Sequence, residues 1–134
     1  MKKNINLIGL IIIILIFVYG YFYTRFNNNS LRQNYLFTVA TVNSDFHYRT
    51  TGKGAGNDFT FILNGKQITG TFNGEVVKNK KYLIIYDSSR NCCAYLFEDI
   101  KIPENIKIPI HSWKLKEIPF KIDTIYIKKR IEDL

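Results

Sequence analysis

The hydrophobic and polar positions divide the chain into one long apolar run and a region of short alternating segments. Charged side chains are absent from residues 5–23, which read INLIGLIIIILIFVYGYFY. As a helix that rises about 1.5 Å per residue, this run spans roughly 28 Å, close to the hydrocarbon thickness of a bilayer. The pattern predicts one N-terminal transmembrane helix that contacts the lipid bilayer through residues 5–23.

A cleaved signal peptide is the alternative interpretation of this run. Its apolar region is usually only about 7–15 residues long and ends in a small-x-small cleavage site. The run instead ends in YGYFY, whose aromatic rings suit the headgroup region. We therefore predict an uncleaved anchor with a basic flank at residues 1–4. The α-amino group, Lys2 and Lys3 precede the span, and only Arg25 and Arg32 closely follow it, which favours an extracytoplasmic C-terminal domain.

From Tyr35 onward the dominant period is two, which predicts β-strands. Strands are expected at residues 35 to about 48, 58–63, 81–87 and 94–100, with a further strand after the Asn64-Gly65 pair. No segment after the anchor shows a long period of 3.6 residues. The predicted fold class is therefore all-β, a small antiparallel meander or barrel-like sheet of about five strands behind one transmembrane helix.

Asn64-Gly65 predicts a two-residue type I′ hairpin turn, because both positions of that turn need a positive φ. The turn sets the register of the two strands that it joins. The expected cross-strand pairs are Leu63 with Lys66, Phe61 with Ile68, Thr60 with Thr69, and Phe59 with Gly70. The ring of Phe59 should then cover a glycine that has no side chain of its own.

Pro103, Pro109 and Pro119 interrupt the segment KIPENIKIPIHSWKLKEIP and exclude both a regular helix and a central strand. We expect an extended arm whose apolar residues dock on the sheet, namely Ile102, Ile106, Ile108 and Trp113, with Trp113 as the main buried residue. Residues 120–131 are expected to form an added strand or a loose tail.

These elements suggest the organisation of the chain after the anchor. A polar spacer at residues 24–34 contains the low-complexity sequence FNNNS. A small β domain with the proline-rich closing arm follows at residues 35–119, and a C-terminal extension occupies residues 120–134.

The glycine-rich sequence TGKGAGN at residues 51–57 raises the question of a phosphate-binding loop. Such a loop needs the spacing G-x-x-x-x-G-K-[ST] between a strand and a helix, so that helical N–H groups point at the phosphate. Here the spacing differs and the strand sequence DFTFIL follows. We interpret the segment as a turn between antiparallel strands.

Cys92-Cys93 is the most unusual pair in the chain and a possible redox site. Three interpretations are open: two buried free thiols, an intermolecular disulfide, or a vicinal disulfide with a strained ring. Two adjacent cysteines and two distant histidines lack the spacing of a zinc site, so no metal is predicted.

His47 and Asp45 are two residues apart on a predicted strand, so they share a face and could form a base with its orienting acid. No nucleophile of matching spacing accompanies them, and a polar strand edge is the simpler interpretation. No catalytic residue and no cofactor is predicted, and the chain is not expected to be an enzyme.

The formal net charge of the chain is +8, and 17 basic and 11 acidic residues, a net charge of +6, follow Lys2 and Lys3. A basic surface fits nucleic acid, anionic lipid or simple solubility. An OB-like basic barrel that binds nucleic acid is the alternative function, but a domain outside the cytoplasm would seldom meet nucleic acid.

The segments NGK at residues 64–66, KKYLIIYDSSRN at residues 80–91 and IPENIKIPIHSWKLKEIP at residues 102–119 carry a family resemblance. Over residues 59–119 the chain resembles uncharacterised bacterial single-pass membrane-anchored small β-domain proteins. In that group a strand and a turn precede a P-[DE]-x-I segment and a W-x-x-I-P close, and proline tends to stand where Cys92 does here. The resemblance implies a membrane-tethered β domain and supplies no activity.

Together these features predict a non-enzymatic, membrane-anchored extracytoplasmic β domain that binds a protein or an envelope component. An envelope hydrolase without a recognisable sequence motif is a further alternative.

Overall fold

The computed structural model describes residues 2–48 and 54–134, with side chains described from residue 7 onward. Helix α1 (Lys2–Asn34) leads directly into the sheet. The strands are β1 (Tyr35–Val42), β2 (His47–Tyr48), β3 (Ala55–Leu63), β4 (Lys66–Phe72), β5 (Lys81–Asp87) and β6 (Cys92–Lys101). A short 3-10 helix (Leu115–Glu117) and helix α2 (Thr124–Glu132) complete the order of elements.

The strands form one antiparallel sheet in which β3 pairs with β4 on one side and with β1 on the other. β1 pairs in turn with β5, and β5 pairs with β6. The sheet curls, so that β4 and β6 approach each other. The first predicted strand does not run unbroken to Tyr48: β1 ends at Val42, and β2 resumes the pairing with β3 after residues 43–46.

Apolar side chains line both faces of the sheet, as the alternation in β1 and β5 predicts. Inside the curl lies a cluster whose buried members are Ala40, Val42, Phe59, Phe61, Leu63, Tyr82, Ile84, Tyr86 and Leu96. On the outer face lies a second cluster whose buried members are Leu31, Phe37, Leu83, Ile85, Phe97, Ile127 and Ile131. The second cluster joins α1, the sheet and α2 in one core.

The prediction of an all-β fold is wrong, because α2 makes the class mixed α and β. The alternating sequence FKIDTIYI at residues 120–127 favours a strand by pattern. Two other features of the sequence favour a helix over residues 124–132. Ile127 and Ile131 are four residues apart, which places both on the buried face of a helix. Asp123 caps that helix, since its carboxylate accepts hydrogen bonds from the N–H groups of Ile125 and Tyr126.

Residues 24–34, predicted as a polar spacer, are the last turns of α1. Leu31 lies in this part and is only 5% exposed, because it packs in the outer cluster with Phe37 and Ile127. The backbone N–H and the hydroxyl of Ser88 both donate to the carbonyl oxygen of Asn34, at 3.0 and 2.6 Å. The helix therefore enters the domain as one of its structural elements.

The predicted hairpin is confirmed in register. Leu63 pairs with Lys66, Phe61 with Ile68, Thr60 with Thr69 and Phe59 with Gly70. Asn64 and Gly65 have φ values of 51° and 74°, as a type I′ turn requires. The ring of Phe59 lies directly over Gly70, where a Cβ atom would collide with it.

The proline-containing arm covers the outer face of the sheet, and at one point it joins the sheet itself. Trp113 and Phe37 exchange two backbone hydrogen bonds of 2.7 and 2.8 Å. The indole is half-buried rather than buried, and it packs edge-on against Phe120 at 6.4 Å between ring centroids. Ile102 also packs on the outer cluster, whereas Ile108 is 40% exposed.

Candidate functional site

Within the described residues, one helix is long and apolar enough to cross a membrane, over Leu7–Asn34 with a mean hydropathy of 2.4 in its most apolar window. Every residue from Leu10 to Phe26 is exposed to the surroundings of the domain. Such a surface is unstable in water, because about 25 cal/mol is lost for each Å² of apolar area left uncovered. The exposed part of α1 is therefore stable only where lipid or protein covers it.

The last turns of α1 are bound to the turn between β5 and β6 by a polar cluster that we call the helix–sheet junction. Its members are Asn27, Ser30, Asp87, Ser89 and Arg90. The buried carboxylate of Asp87 accepts hydrogen bonds from Ser30 Oγ at 2.6 Å and Arg90 Nε at 3.0 Å. It also accepts from the hydroxyl and the backbone N–H of Ser89, at 2.6 and 2.9 Å. Arg90 in turn donates to Asn27 Oδ1 at 2.8 Å, which connects the turn to the helix a second time.

The electrostatics of the junction favour the charged form of Asp87. Burial on its own would raise the pKa of this carboxyl, but the hydrogen bonds from Ser30, Ser89 and Arg90 lower the pKa to about 2. The Arg90 guanidinium also lies 5.3 Å from the ring centroid of Phe26, the last exposed aromatic residue of α1. The hydrogen-bond partners of Asp87 thus come from both α1 and the β5–β6 turn.

Cys92 and Cys93, for which the sequence left free thiols and two kinds of disulfide open, begin β6 next to this junction. Both are free thiols and half-buried. Cys93 has a φ of 61° at an irregularity of the β5–β6 ladder, and the Arg90 guanidinium lies 3.9 Å from its sulfur. Burial and a hydrogen bond with Cys92 raise the pKa of the Cys93 thiol to about 11. This thiol is therefore a poor nucleophile near neutral pH, since the thiolate is the reactive form.

The histidine site has a different acid from the one that the sequence suggested. Asp45 extends to Lys78, at 3.3 Å between Oδ2 and Nζ. His47 Nε2 lies instead 3.6 Å from Asp58 Oδ2, and His47 Nδ1 lies 3.4 Å from Ser44 Oγ. Asp58 reaches this position from the neighbouring strand, so its spacing from His47 in the sequence does not reveal it. A correct prediction of the antiparallel pairing of β2 with β3 would have revealed it.

The glycine-rich segment lies partly outside the described residues, which exclude residues 51–53. Gly54 has a φ of 81°, and Gly56 pairs with His47 in the ladder of β3 with β2. A Cβ atom on Gly56 would lie 2.5 Å from the carbonyl oxygen of Phe72, so the close approach of β3 and β4 requires glycine here.

At the opposite end of the sheet from α1, the chain forms a groove of about 590 Å³ that we call the distal groove. Its lining residues are Val77, Asn79, Lys80, Lys81, Tyr82, Lys101, Ile102 and Glu104. The groove lies where the β5–β6 ladder is irregular: Leu83 pairs with Phe97, whereas Tyr82 pairs with Lys101. This site was not predictable from the sequence, because Lys101 lies about 20 residues from Lys80 and Lys81 and only the pairing of β5 with β6 brings them together.

Across residues 2–48 and 54–134, no group of three or more His, Cys, Asp or Glu side chains could hold a metal ion. No protein-family model, curated protein or solved structure matches this chain.

Proposed function

We propose that the protein is a membrane-anchored, non-enzymatic domain that binds a protein or envelope partner outside the cytoplasm. The observation that carries the proposal is the uncovered apolar surface of α1 between Leu10 and Phe26, continuous with turns that belong to the folded domain. The resemblance to membrane-anchored small β-domain proteins leads to the same expectation.

The helix–sheet junction supports a role in positioning. A flexible spacer would let the domain tumble relative to the membrane. Here hydrogen bonds between the β5–β6 turn region and Asn27, Ser30 and Asn34 of α1 hold the sheet at one orientation to the helix. β1 leaves the helix at Tyr35 and runs outward for eight residues, about 25 Å at the usual strand rise. The distal end of the sheet is thereby presented to a partner at a fixed distance from the bilayer.

Alkaline extraction of membranes, followed by intact-mass measurement, tests the anchor. We expect the full chain to remain in the membrane pellet with residues 5–23 uncleaved. The double variant Ile13→Arg/Ile14→Arg should release it, because each arginine at the centre of a span costs about 2.5–3.5 kcal/mol. Asn29→Arg, beyond the apolar run, is the matched control and should stay in the pellet. A mature chain that begins after Tyr23 would contradict the proposal.

Photo-crosslinking on intact cells tests the binding function and the orientation together. A photoreactive amino acid at position 48, where Tyr48 is 83% exposed, should yield an adduct of defined mass. The same group at position 125, where Ile125 is 81% exposed on α2, is the control and should yield none.

An external protease should remove the domain from intact cells. Absence of an adduct at position 48, or complete protection from the protease, would overturn the corresponding part of the proposal.

One observation favours a second candidate function, hydrolysis of an envelope component. Ser44, His47 and Asp58 lie in the order of a nucleophile, a base and an orienting acid. This candidate ranks second because the contacts of the imidazole with Ser44 and Asp58, at 3.4 and 3.6 Å, exceed the usual 2.6–3.2 Å. The shortest contact of His47 Nδ1 is instead with the carbonyl oxygen of Asp45, at 3.1 Å. In addition, Ser44 Oγ already accepts a hydrogen bond from the backbone N–H of Asp58 at 2.8 Å, which attaches the segment between β1 and β2 to β3.

Labelling with a fluorophosphonate decides between the two functions. A serine hydrolase would react with the probe, and the variant Ser44→Ala would abolish the reaction. Ser112→Ala is the control and should not change the reaction, because the Ser112 hydroxyl lies 2.7 Å from the Tyr86 hydroxyl, away from His47. We expect no labelling of the wild-type chain. Stoichiometric labelling that depends on Ser44 would replace the binding function with the hydrolytic one.

A further inference from the structure

The distal groove combines positive charge with an apolar floor. Three lysines and one glutamate line it, so the lining carries a net charge of +2. Tyr82 is 8% exposed and Ile102 is half-buried at its base, while Val77 is 60% exposed at its rim. A ligand that fits must bring negative charge and also at least one apolar group.

The walls of the groove are held in place from within the chain. The hydroxyl of Tyr82 accepts the backbone N–H of Val77 at 2.9 Å, which fixes the loop between β4 and β5. On the other wall, Lys81 Nζ donates to the carbonyl oxygen of Ile106 at 3.0 Å. The backbone N–H of Ile106 donates to the carbonyl oxygen of Pro103 at 3.0 Å, which closes the first turn of the arm. The groove is thus formed before any ligand arrives, which lowers the entropic cost of binding.

Two of the three lysines remain available to a ligand. Lys101 has neither an ion pair nor a side-chain hydrogen bond within the described part of the chain. Lys80 Nζ lies 3.9 Å from Glu104 Oε1, but the two side chains are 64% and 96% exposed, so this pair is weak. An incoming carboxylate can replace Glu104 at little cost.

The apolar surface continues beyond the groove. Val77 also lines an adjoining depression together with Phe46, which is 48% exposed. The ring of Phe46 packs edge-on against Tyr48 at 5.6 Å between centroids. Exposed apolar and basic residues therefore lie side by side at this end of the molecule.

We infer that the distal groove binds an acidic peptide segment of a partner protein, with carboxylates at Lys80 and Lys101 and an apolar side chain against Val77 and Tyr82. A peptide fits better than a phosphate polymer for two reasons. The apolar floor gains nothing from a phosphate backbone, and the groove has lysines where phosphate recognition prefers the planar fork of arginine. This inference rests on the proposed binding function and names its surface.

Fluorescence anisotropy on the full chain in phosphatidylcholine nanodiscs tests the inference. The probe is a short fluorescein-labelled peptide of alternating glutamate and leucine. A peptide with glutamine in place of glutamate controls for charge, a peptide with serine in place of leucine controls for the apolar contact, and poly(glycerol phosphate) is the competing polyanion. We expect the acidic apolar peptide to bind more tightly than either control peptide, and added salt to weaken it.

The variant Lys80→Gln/Lys101→Gln should weaken peptide binding about tenfold, roughly threefold for each exposed ion pair. Lys66→Gln/Lys128→Gln removes the same charge elsewhere on the surface and should change binding less than twofold, because Lys66 begins β4 and Lys128 lies beside Arg32 and Tyr35. Val77→Ser should weaken binding more than Ile110→Ser, which alters a side chain that is 88% exposed outside the groove.

Equal binding of the glutamate and glutamine peptides, or equal effects of the two lysine pairs, would overturn the inference. Binding of poly(glycerol phosphate) alone would also overturn it. A chain that forms the adduct at position 48 but ignores the acidic peptide would refute the groove and leave the binding function intact. A chain that does neither would refute both.

Discussion

The two ends of the sheet use charge in opposite ways. At the proximal end, where α1 joins the sheet, the carboxylate of Asp87 is buried and accepts hydrogen bonds from Ser30, Ser89 and Arg90. At the distal end, Lys101 has no charged partner within the described residues, and Phe46, Tyr48 and Val77 are exposed. A buried charge must be compensated inside the chain, or the protein would not fold. Exposed lysines and apolar groups carry no such requirement and remain free for a ligand.

The difference implies that stability and binding are separated along the molecule. The proximal end connects α1, the β5–β6 turn and, through Leu31, the outer cluster with α2. Substitutions there should unfold the domain. Substitutions at the distal surface should leave the domain folded and change only what it binds. The predictions below test that separation by measuring the free energy of unfolding in urea for the full chain in detergent micelles.

The largest expected effect is that of Asp87→Ala, which should lower the free energy of unfolding by about 3–5 kcal/mol. The substitution leaves Arg90 and two hydroxyl donors without their acceptor, and breaking a buried charge pair typically costs this much. Asp45→Ala at the distal end is the matched control. Its carboxylate is 82% exposed in its pair with Lys78, so the loss should be under about 1 kcal/mol. Equal losses at the two positions would refute the contrast between the ends.

The next effect concerns α2, the element that the sequence pattern misassigned. Ile127→Ala should cost about 2–4 kcal/mol, because Ile127 has no exposed surface and contributes to the outer cluster. Ile125→Ala on the same helix is the control, and it should cost under about 0.5 kcal/mol, because that side chain is 81% exposed. A small effect of Ile127→Ala would mean that α2 is not part of the core.

The misassignment of α2 shows how far local pattern can predict this fold. The pattern of apolar residues correctly predicted β5, which is buried on both faces, and the β3–β4 hairpin, in which Asn57, Phe59, Phe61 and Leu63 share the buried face of β3. In α2, two buried isoleucines and one capping aspartate determine a helix of only nine residues, too short for its period to stand out. The junction and the distal groove were not predictable either. Each assembles side chains from segments far apart in sequence, and only the register of the strands brings them together.

Acid should reveal the contribution of Asp87. Its pKa is about 2 in the folded chain, below the ordinary value of 3.8. A lowered folded pKa stabilises the native state above the unfolded pKa, and this contribution is lost as the pH falls from about 4 to 2. We expect a loss of about 1–2 kcal/mol across this range, less than the full shift implies because Ser89 and Arg90 border solvent.

The control for this pH dependence is Asp87→Asn, which removes the titrating group while keeping its shape. The stability curve of this variant should be flatter between pH 4 and 2 than that of the wild-type chain by about the same amount. Identical slopes for the two chains would mean that the carboxylate is not held charged at the junction.

A smaller effect is expected for Tyr82→Phe at the base of the distal groove. The ring stays in place, but the backbone N–H of Val77 loses its acceptor, which should cost about 1 kcal/mol. The free amide can turn to solvent, because Val77 is 60% exposed. Peptide binding should weaken as well, since the loop between β4 and β5 is no longer fixed. Unchanged stability together with unchanged binding would show that the wall of the groove does not depend on this bond.

The smallest effect on stability should come from Tyr48→Ser. Tyr48 is 83% exposed, and its only ring contact in the described residues is with Phe46, which is itself exposed. The free energy of unfolding should therefore change by less than about 0.5 kcal/mol, as for ordinary surface substitutions. If the distal end is the binding end, the same variant should nevertheless weaken capture of the partner, because exposed aromatic side chains supply much of the energy in interfaces. A loss of stability comparable to that of Ile127→Ala would show that the distal aromatic residues serve the fold, and the separation between a stabilising end and a binding end would then fail.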